Sequence, residues 1–230
     1  QNDTVEVAPG TYVGSLSLLD KNLVFRGSGD PTETLLQGEG TGPVLTIDGG
    51  QDNTTVSNFT IIGGGGTQGG GIKIDNGSTP DLDHLIIAAN AVSGNGGGIA
   101  IMSGGAGLSN VTMGYNTAGG NGGALYAAAG ASVTLTNSIL FSNGNTEIGS
   151  FGNVNTTYSI VSGGADGTGN LDRKPSLNSL AASATAPARP PMPATDGITP
   201  MNINQTNHEA CLPLRFVFGP GISEKDSRKV

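Results

Sequence analysis

The 230-residue chain has one cysteine, no tryptophan, ten phenylalanines and tyrosines together, and ten lysines and arginines against eighteen aspartates and glutamates. A lone cysteine excludes a disulfide-stapled scaffold and a cysteine-built zinc site. The shortage of cations, a net charge of −8, leaves no basic footprint for phosphates, so no nucleic-acid partner is expected. No apolar run approaches the roughly 20 residues that cross a bilayer as a helix, so no membrane span is expected either. Helical periodicity is missing between residues 40 and 170, where abundant glycine would penalise a helix heavily. The chain has forty glycines, but they do not recur at every third position, which excludes a collagen-like chain.

What is present is unevenly spread. Residues 31–170 carry nine acidic side chains and one basic one, Lys73. Only Gly197, Gly219 and Gly221 come after residue 170, whereas eight of the twelve prolines lie between Pro175 and Pro220. The composition therefore divides the chain into one structural unit, residues 1–172, and a Pro/Ala-rich linker with an irregular tail, residues 173–230.

The first unit repeats itself. VSNFTIIGGGGTQGGGIKI from Val56, LDHLIIAANAVSGNGGGIAI from Leu82 and LSNVTMGYNTAGGNGGALY from Leu108 align, followed by LTNSILFSNGN from Leu135 and a degenerate TYSIV from Thr157. The anchors Asn58, His84, Asn110 and Asn137 are 26, 26 and 27 residues apart. Within each unit apolar residues alternate, as at Phe59 and Ile61, Ile72 and Ile74, Leu85 and Ile87, Ile99 and Ile101. Alternation marks strands with one buried face. Strands of three to five residues cannot bury themselves singly, but they can if each pairs with its equivalent one unit later. A period near 25 with several short strands is what a parallel β-helix requires.

The turn chemistry agrees. Asn58, Asn110 and Asn137 come after one inward residue and precede the next; asparagine tolerates the left-handed conformation of a sharp bend, and its amide can bond to its equivalent on the next winding. His84 takes this place in one unit and reads as a turn residue. The pairs Gly70–Gly71, Gly97–Gly98 and Gly122–Gly123 suit bends where a Cβ would clash. Residues 1–50 read as earlier, less regular windings. Val5 and Val7 point inward, Pro9–Gly10 forms a turn, and short strands are expected at Leu16, Leu23 and Val44. About seven rungs at ~4.8 Å make a rod of roughly 30–35 Å. Thr, Ser, Asn and Gly are expected to dominate its outward positions.

DTVEVAPGTY, NLVFRGSG from Asn22 and TLLQG from Thr34 resemble the opening rungs of bacterial right-handed parallel β-helix proteins of the pectin-lyase-like superfamily. GGALY from Gly122 with LTNSILFSN is similar to the repeat of polymorphic outer-membrane and related surface proteins. VNTTYSIVSGG and GTGNLDRKPSL resemble the closing rungs of that group. The resemblance covers residues 3–177 and implies an all-β, right-handed, single-stranded parallel β-helix. It implies export to a bacterial or archaeal cell surface or secretion. It licenses no reaction, because such folds carry lyases, glycosidases, esterases and adhesins alike.

Two functional readings stay open. One is a structural or adhesin-like surface domain whose partner is a polysaccharide or a host or cell-surface glycan, with no catalytic residue and no cofactor. The other is a polysaccharide lyase or glycosidase-type enzyme. A lyase needs a base beside a uronate and commonly Ca²⁺ on clustered carboxylates. The candidates are Lys73 as base and Asp81 and Asp83 as catalytic carboxylates, with Asp75, Asp81 and Asp83 as metal ligands beside His84. The bland reading of IDNGSTPDLDH is a solvated turn. The glycosidase and pectin-esterase patterns are missing, and two histidines give little basis for a Ser–His pair. No helix pattern follows GGGGTQGGG or GNGGG, as a phosphate cradle would require. A trimer-forming rod is a third reading.

In the tail, Leu212, Leu214, Phe216 and Phe218 alternate as in a strand that could cap the open end of the stack, and Cys211 reads as a small apolar residue. Arg173 and Lys174 break the closing motif of the resembling group, and a shifted reading frame is one reading of the tail beyond them. At the front, Gln1 stands four residues before the inward Val5, with no signal peptide and no cap, as in a portion of a larger exported protein.

Overall fold

The structure, a computed structural model, describes residues 3–19, 22–50, 53–144 and 146–172. These residues form a parallel β-solenoid and contain no helix. The expected linker, cap strand and Cys211 lie outside the described residues.

The first winding holds β1 (Asp3–Val7), β2 (Gly10–Val13) and β3 (Leu16–Leu19). The second holds β4 (Leu23–Gly27), β5 (Thr34–Gln37) and β6 (Leu45–Asp48). The third holds β7 (Thr55–Ile62) and β8 (Ile72–Ile74), the fourth β9 (Asp81–Ala88), β10 (Ala91–Val92) and β11 (Ile99–Ile101). Next come β12 (Gly105–Ser109), β13 (Thr112–Gly114), β14 (Thr117–Ala118) and β15 (Leu125–Ala127). The sixth holds β16 (Ser132–Thr136), β17 (Ile139–Phe141) and β18 (Ile148–Ser150), and the last β19 (Asn153–Thr157) and β20 (Ile160–Val161).

Every strand pair is parallel, and the strands stack into three faces. The first face runs β1-β4-β7-β9-β12-β16-β19. The second uses the later halves of β7 and β9 and runs β2-β5-β7-β9-β13-β17-β20. The third is β3-β6-β8-β11-β15-β18. β10, β14 and β20 are shorter than the expected three to five residues, with two each, and β7 and β9 are longer. Each of the longer two is eight residues long because it passes through the bend between the first and second faces.

In-register pairing turns the sequence alternation into columns. On the first face Phe25, Val56, Leu82, Leu108 and Leu135 stack. On the second, Leu36, Ile61, Ile87, Met113, Leu140 and Val161 do so. On the third the column is Leu45, Ile72, Ile99 and Leu125. All of these are buried. Each such aliphatic side chain contributes roughly 1.5–3 kcal/mol by leaving water. Phe25 and Phe59 stack in the interior, with ring centroids 4.6 Å apart.

The ends explain why about five turns close fully rather than the seven rungs expected. Val5 occupies an inward position over Phe25 but is 46% exposed, and all four residues of β2 are exposed, because among the described residues no strand pairs with β1 or β2 on their other side. The last winding contributes to only two faces among the described residues.

The bend between the first two faces is as expected. Asn58, His84, Asn110 and Asn137 have φ of 61°, 49°, 56° and 52°, and Tyr158 continues the series at 49°. The Asn137 amide donates to the Asn110 side-chain oxygen, linking equivalent positions of adjacent windings. A second left-handed corner ends the second face at Gly63, Ala89, Tyr115 and Ser142, with φ between 53° and 70°. The glycine pairs need one correction. Register matches Gly97 with Gly123 and Gly98 with Ala124, so the third pair is Gly123–Ala124, and Gly122 is the left-handed equivalent of Gly69 and Gly96. The clash itself is real: a Cβ on Gly97 would lie 2.5 Å from the Gly123 carbonyl oxygen.

Outward positions are polar on the first face, as expected, but not on the second. There the outward column Leu35, Thr60, Ile86, Thr112, Ile139 and Ile160 is largely aliphatic. The doubled isoleucines Ile61–Ile62 and Ile86–Ile87 supply both sides of the sheet.

Candidate functional site

Lys73 is an outward residue of β8 on the third face. Its Nζ lies 3.0 Å from Asp75 Oδ2, and both side chains are about one-third exposed. Asp75 follows two residues later, at the corner leading to the first face, where its Oδ1 accepts from the Asn76 N–H at 2.9 Å and from the Ser103 hydroxyl at 3.2 Å. Partial burial pushes the Asp75 carboxyl up, but the Asn76 N–H, Lys73 and Ser103 outweigh it and hold the group below the ordinary carboxylate value.

Asp81 and Asp83 begin β9 and share the outward side of the first face, two residues apart. Asp81 Oδ1 lies beside Gly107, 2.6 Å from where a Cβ would stand. Asp83 has more partners. Its Oδ1 accepts from Ser109 Oγ and Asn110 Nδ2, each at 2.8 Å, on the next winding. Its Oδ2 is 2.6 Å from His84 Nδ1. Burial raises the Asp83 carboxyl, but the Asn110, His84 and Ser109 hydrogen bonds together take it below the ordinary value.

The structure therefore brings Lys73 to Asp75 on one face and Asp83 to His84 on another, with the residue 75–80 corner between them. Among the described residues no group of three or more His, Cys, Asp and Glu side chains could hold a metal ion. Asp83 serves as a hydrogen-bond hub that ties the fourth winding to the fifth.

Along the first face, outward residues fall into register: Ser57, Asp83, Ser109, Thr136 and Thr157 in one column, and Thr55, Asp81, Gly107, Thr134 and Asn155 in the next. Thr136 and Thr157 hydroxyls are 3.1 Å apart. The result is a flat surface of short hydroxyl, amide and carboxylate groups repeating at the strand spacing.

Sequence reasoning missed a buried polar ladder inside the tube. Asn90, Asn116 and Asn143 have no exposed surface. Asn90 Nδ2 donates to Asn116 Oδ1 at 2.9 Å, and Asn116 Nδ2 to Asn143 Oδ1 at 2.8 Å. Each amide also donates to a carbonyl of the preceding winding, those of Ile61, Ile87 and Met113. Glu147 ends the ladder, its Oε2 accepting from Asn143 Nδ2 at 2.6 Å. The signal was available, since these asparagines are 26 and 27 residues apart, the period of the exposed anchors.

A cleft of ≈450 Å³ lies beside that end, lined in part by Ser142, Thr146, Glu147 and Ser162. Among the described residues, Glu147 is the one ionisable side chain in its lining, and Asp172 Oδ1 accepts from the N–H of Gly163, another lining residue, at 2.9 Å. Compared with known proteins, the chain matches no family model, no curated protein and no solved structure.

Proposed function

We propose that this solenoid is an extracellular or cell-surface domain, structural or adhesin-like, that contacts a polysaccharide or cell-surface glycan through its first face. The observation that carries the reading is the in-register outward array from Ser57 through Asp83 to Thr157, with Asp81, Thr134 and Asn155 in the column beside it. Its groups are short, so little rotamer entropy is lost on contact. Their repeat at ~4.8 Å presents donors and acceptors in rows, as a chain of hydroxylated rings does. The resemblance of the opening and closing windings to the pectin-lyase-like superfamily and to bacterial surface repeats supports the exported location.

A glycan-array measurement tests this. Binding of neutral or weakly charged glycans is expected, and Thr134→Ala/Thr136→Ala is expected to weaken it at least tenfold. Absence of binding to any glycan, or binding unaffected by the double variant, overturns the reading.

The alternative, a polysaccharide lyase or glycosidase-type enzyme, draws on the Lys73–Asp75 pair at 3.0 Å and on Asp81 and Asp83. Product release from uronic-acid polymers, with and without Ca²⁺, discriminates the two. Turnover that disappears in Asp81→Ala and Asp83→Ala selects the enzyme.

A further inference from the structure

Asparagine followed by glycine occurs four times in the chain, at Asn76–Gly77, Asn95–Gly96, Asn121–Gly122 and Asn143–Gly144. This pair carries its own chemistry. The nitrogen of the following residue can attack the asparagine side-chain carbonyl, and glycine has no Cβ to obstruct that approach. The fold places the four pairs in different surroundings. Asn143 has no exposed surface, and its amide is tied to Met113, Phe141 and Glu147. Gly96 and Gly122 are buried and boxed in by backbone. A Cβ on Gly96 would lie 2.4 Å from the Ile99 carbonyl oxygen, and one on Gly122 would lie 2.1 Å from that of Leu125.

Asn76 and Gly77 are both exposed. Among the described residues, nothing beyond its chain neighbours lies within 4 Å of the position of a Cβ on Gly77. The pair forms the centre of a turn closed by the Ser78 N–H, which donates to the Asp75 carbonyl oxygen at 3.1 Å. Their φ of 51° and 80° are those of the mirror-image turn that Asn–Gly favours. Both adjacent windings reach this turn. From the winding before, Asp48 Oδ1 accepts from the Asn76 amide. From the winding after, Ser103 Oγ accepts from the Gly77 N–H at 3.0 Å and donates to Asp75 Oδ1 at 3.2 Å. The proton that must leave the attacking nitrogen therefore already faces a hydroxyl backed by a carboxylate.

We propose that Asn76–Gly77 is a site of spontaneous covalent modification, where the folded chain deamidates ahead of its other Asn–Gly pairs with Ser103 receiving the Gly77 proton. The Gly77 nitrogen bonds to Asn76 Cγ and closes a succinimide ring. The bond from Cγ to the side-chain nitrogen breaks, and that nitrogen leaves as ammonia with the proton that Gly77 gave up, returned through water. Water then opens the ring at either carbonyl, giving aspartate or isoaspartate. Either product puts a carboxylate where an amide donor faced Asp48, with Asp75 next to it in the chain, so like charges meet. Isoaspartate also adds a carbon to the backbone of a turn built for two central residues. The corner thus loses a tie between the second and third windings as the protein ages. This inference stands apart from glycan binding, whose array uses none of these residues.

The test warms the full chain at neutral pH, folded and in urea. Peptide mass spectrometry with electron-transfer fragmentation locates each amide-to-acid exchange and separates aspartate from isoaspartate. In the folded chain Asn76 should convert at least fivefold faster than Asn95, Asn121 or Asn143. In urea the four rates should converge, since unfolding removes the burial that sets the sites apart. Ser103→Ala should slow Asn76 at least threefold in the folded chain and leave its rate in urea unchanged, and Ser103→Thr, which keeps the hydroxyl, should restore it. Should Ser103→Ala misfold by circular dichroism, the wild-type ranking of the four sites still decides. Absence of conversion at Asn76 in the folded chain, conversion no faster than at the other three, or a rate unchanged in folded Ser103→Ala each overturns the proposal.

Discussion

Asn116 donates its side-chain amide to Asn143 Oδ1 at 2.8 Å although 27 residues separate them and neither has exposed surface. The same Asn116 oxygen accepts from Asn90 Nδ2 and from the Asn90 backbone N–H. One side chain on the fifth winding thus satisfies groups on the fourth and sixth, and its loss leaves buried donors and acceptors unpaired. Asn116→Ala should destabilise the domain by about 2–4 kcal/mol, measured as a shift in urea unfolding against wild type. A change below about 0.5 kcal/mol would show that the ladder is not buried as described.

His84 stands where three other windings use asparagine, at φ 49°. A left-handed residue costs about 1–2 kcal/mol unless it is glycine or a tolerant polar residue. His84→Gly and His84→Asn should therefore be neutral or slightly stabilising, and His84→Val should destabilise by about 1–2 kcal/mol. Thermal unfolding of the three variants ranks them. A valine variant as stable as the asparagine one contradicts the turn role.

Gly97 and Gly42 make opposite predictions. A Cβ on Gly97 would meet the Gly123 and Thr117 carbonyl oxygens at 2.5 and 2.6 Å, both rigid backbone of the next winding. Gly97→Ala must push windings apart and should cost about 3 kcal/mol. Gly42 has nothing within 4 Å of that position and no left-handed φ, so Gly42→Ala should be neutral or stabilise by about 0.4–1 kcal/mol. Equal effects of the two changes would contradict the stacking.

The sign of the pH dependence is set by Asp75 and Asp83, whose carboxyls are both held below their ordinary value. Such a group contributes its full stabilisation above the unfolded value of about 3.9 and loses it as pH falls through the lower folded value. Stability should therefore decline on acidification below about pH 4. Asp83→Asn should flatten that decline, so that variant and wild type converge in acid and diverge near neutral pH. A midpoint difference independent of pH contradicts the linkage.

Much of this fold was legible because burial leaves a period of two and stacking a period near 26. Val56, Leu82 and Leu108 announced one column, and Asn58, Asn110 and Asn137 the bend beside it. The second corner was not legible. Gly63, Ala89, Tyr115 and Ser142 share a left-handed backbone but no side-chain chemistry, and only pairing reveals their equivalence. The Asn90 ladder shares its spacing with the exposed anchors, and spacing alone does not tell an inward amide from an outward one. Polar outward residues were correctly expected on the first face. On the second, the doubled isoleucines break the simple alternation, and only the sheet shows which of each pair faces out. The candidate residues Lys73, Asp75, Asp81 and Asp83 are close in sequence, but a corner of the tube separates them onto two faces.

The parallel, in-register winding is tested most directly by inter-strand nuclear Overhauser contacts in the folded chain. Backbone contacts should link Leu82 to Leu108 and Leu108 to Leu135, with neighbours on both strands advancing in the same direction. Contacts between sequence-adjacent strands that advance in opposite directions, as in hairpins, would contradict it.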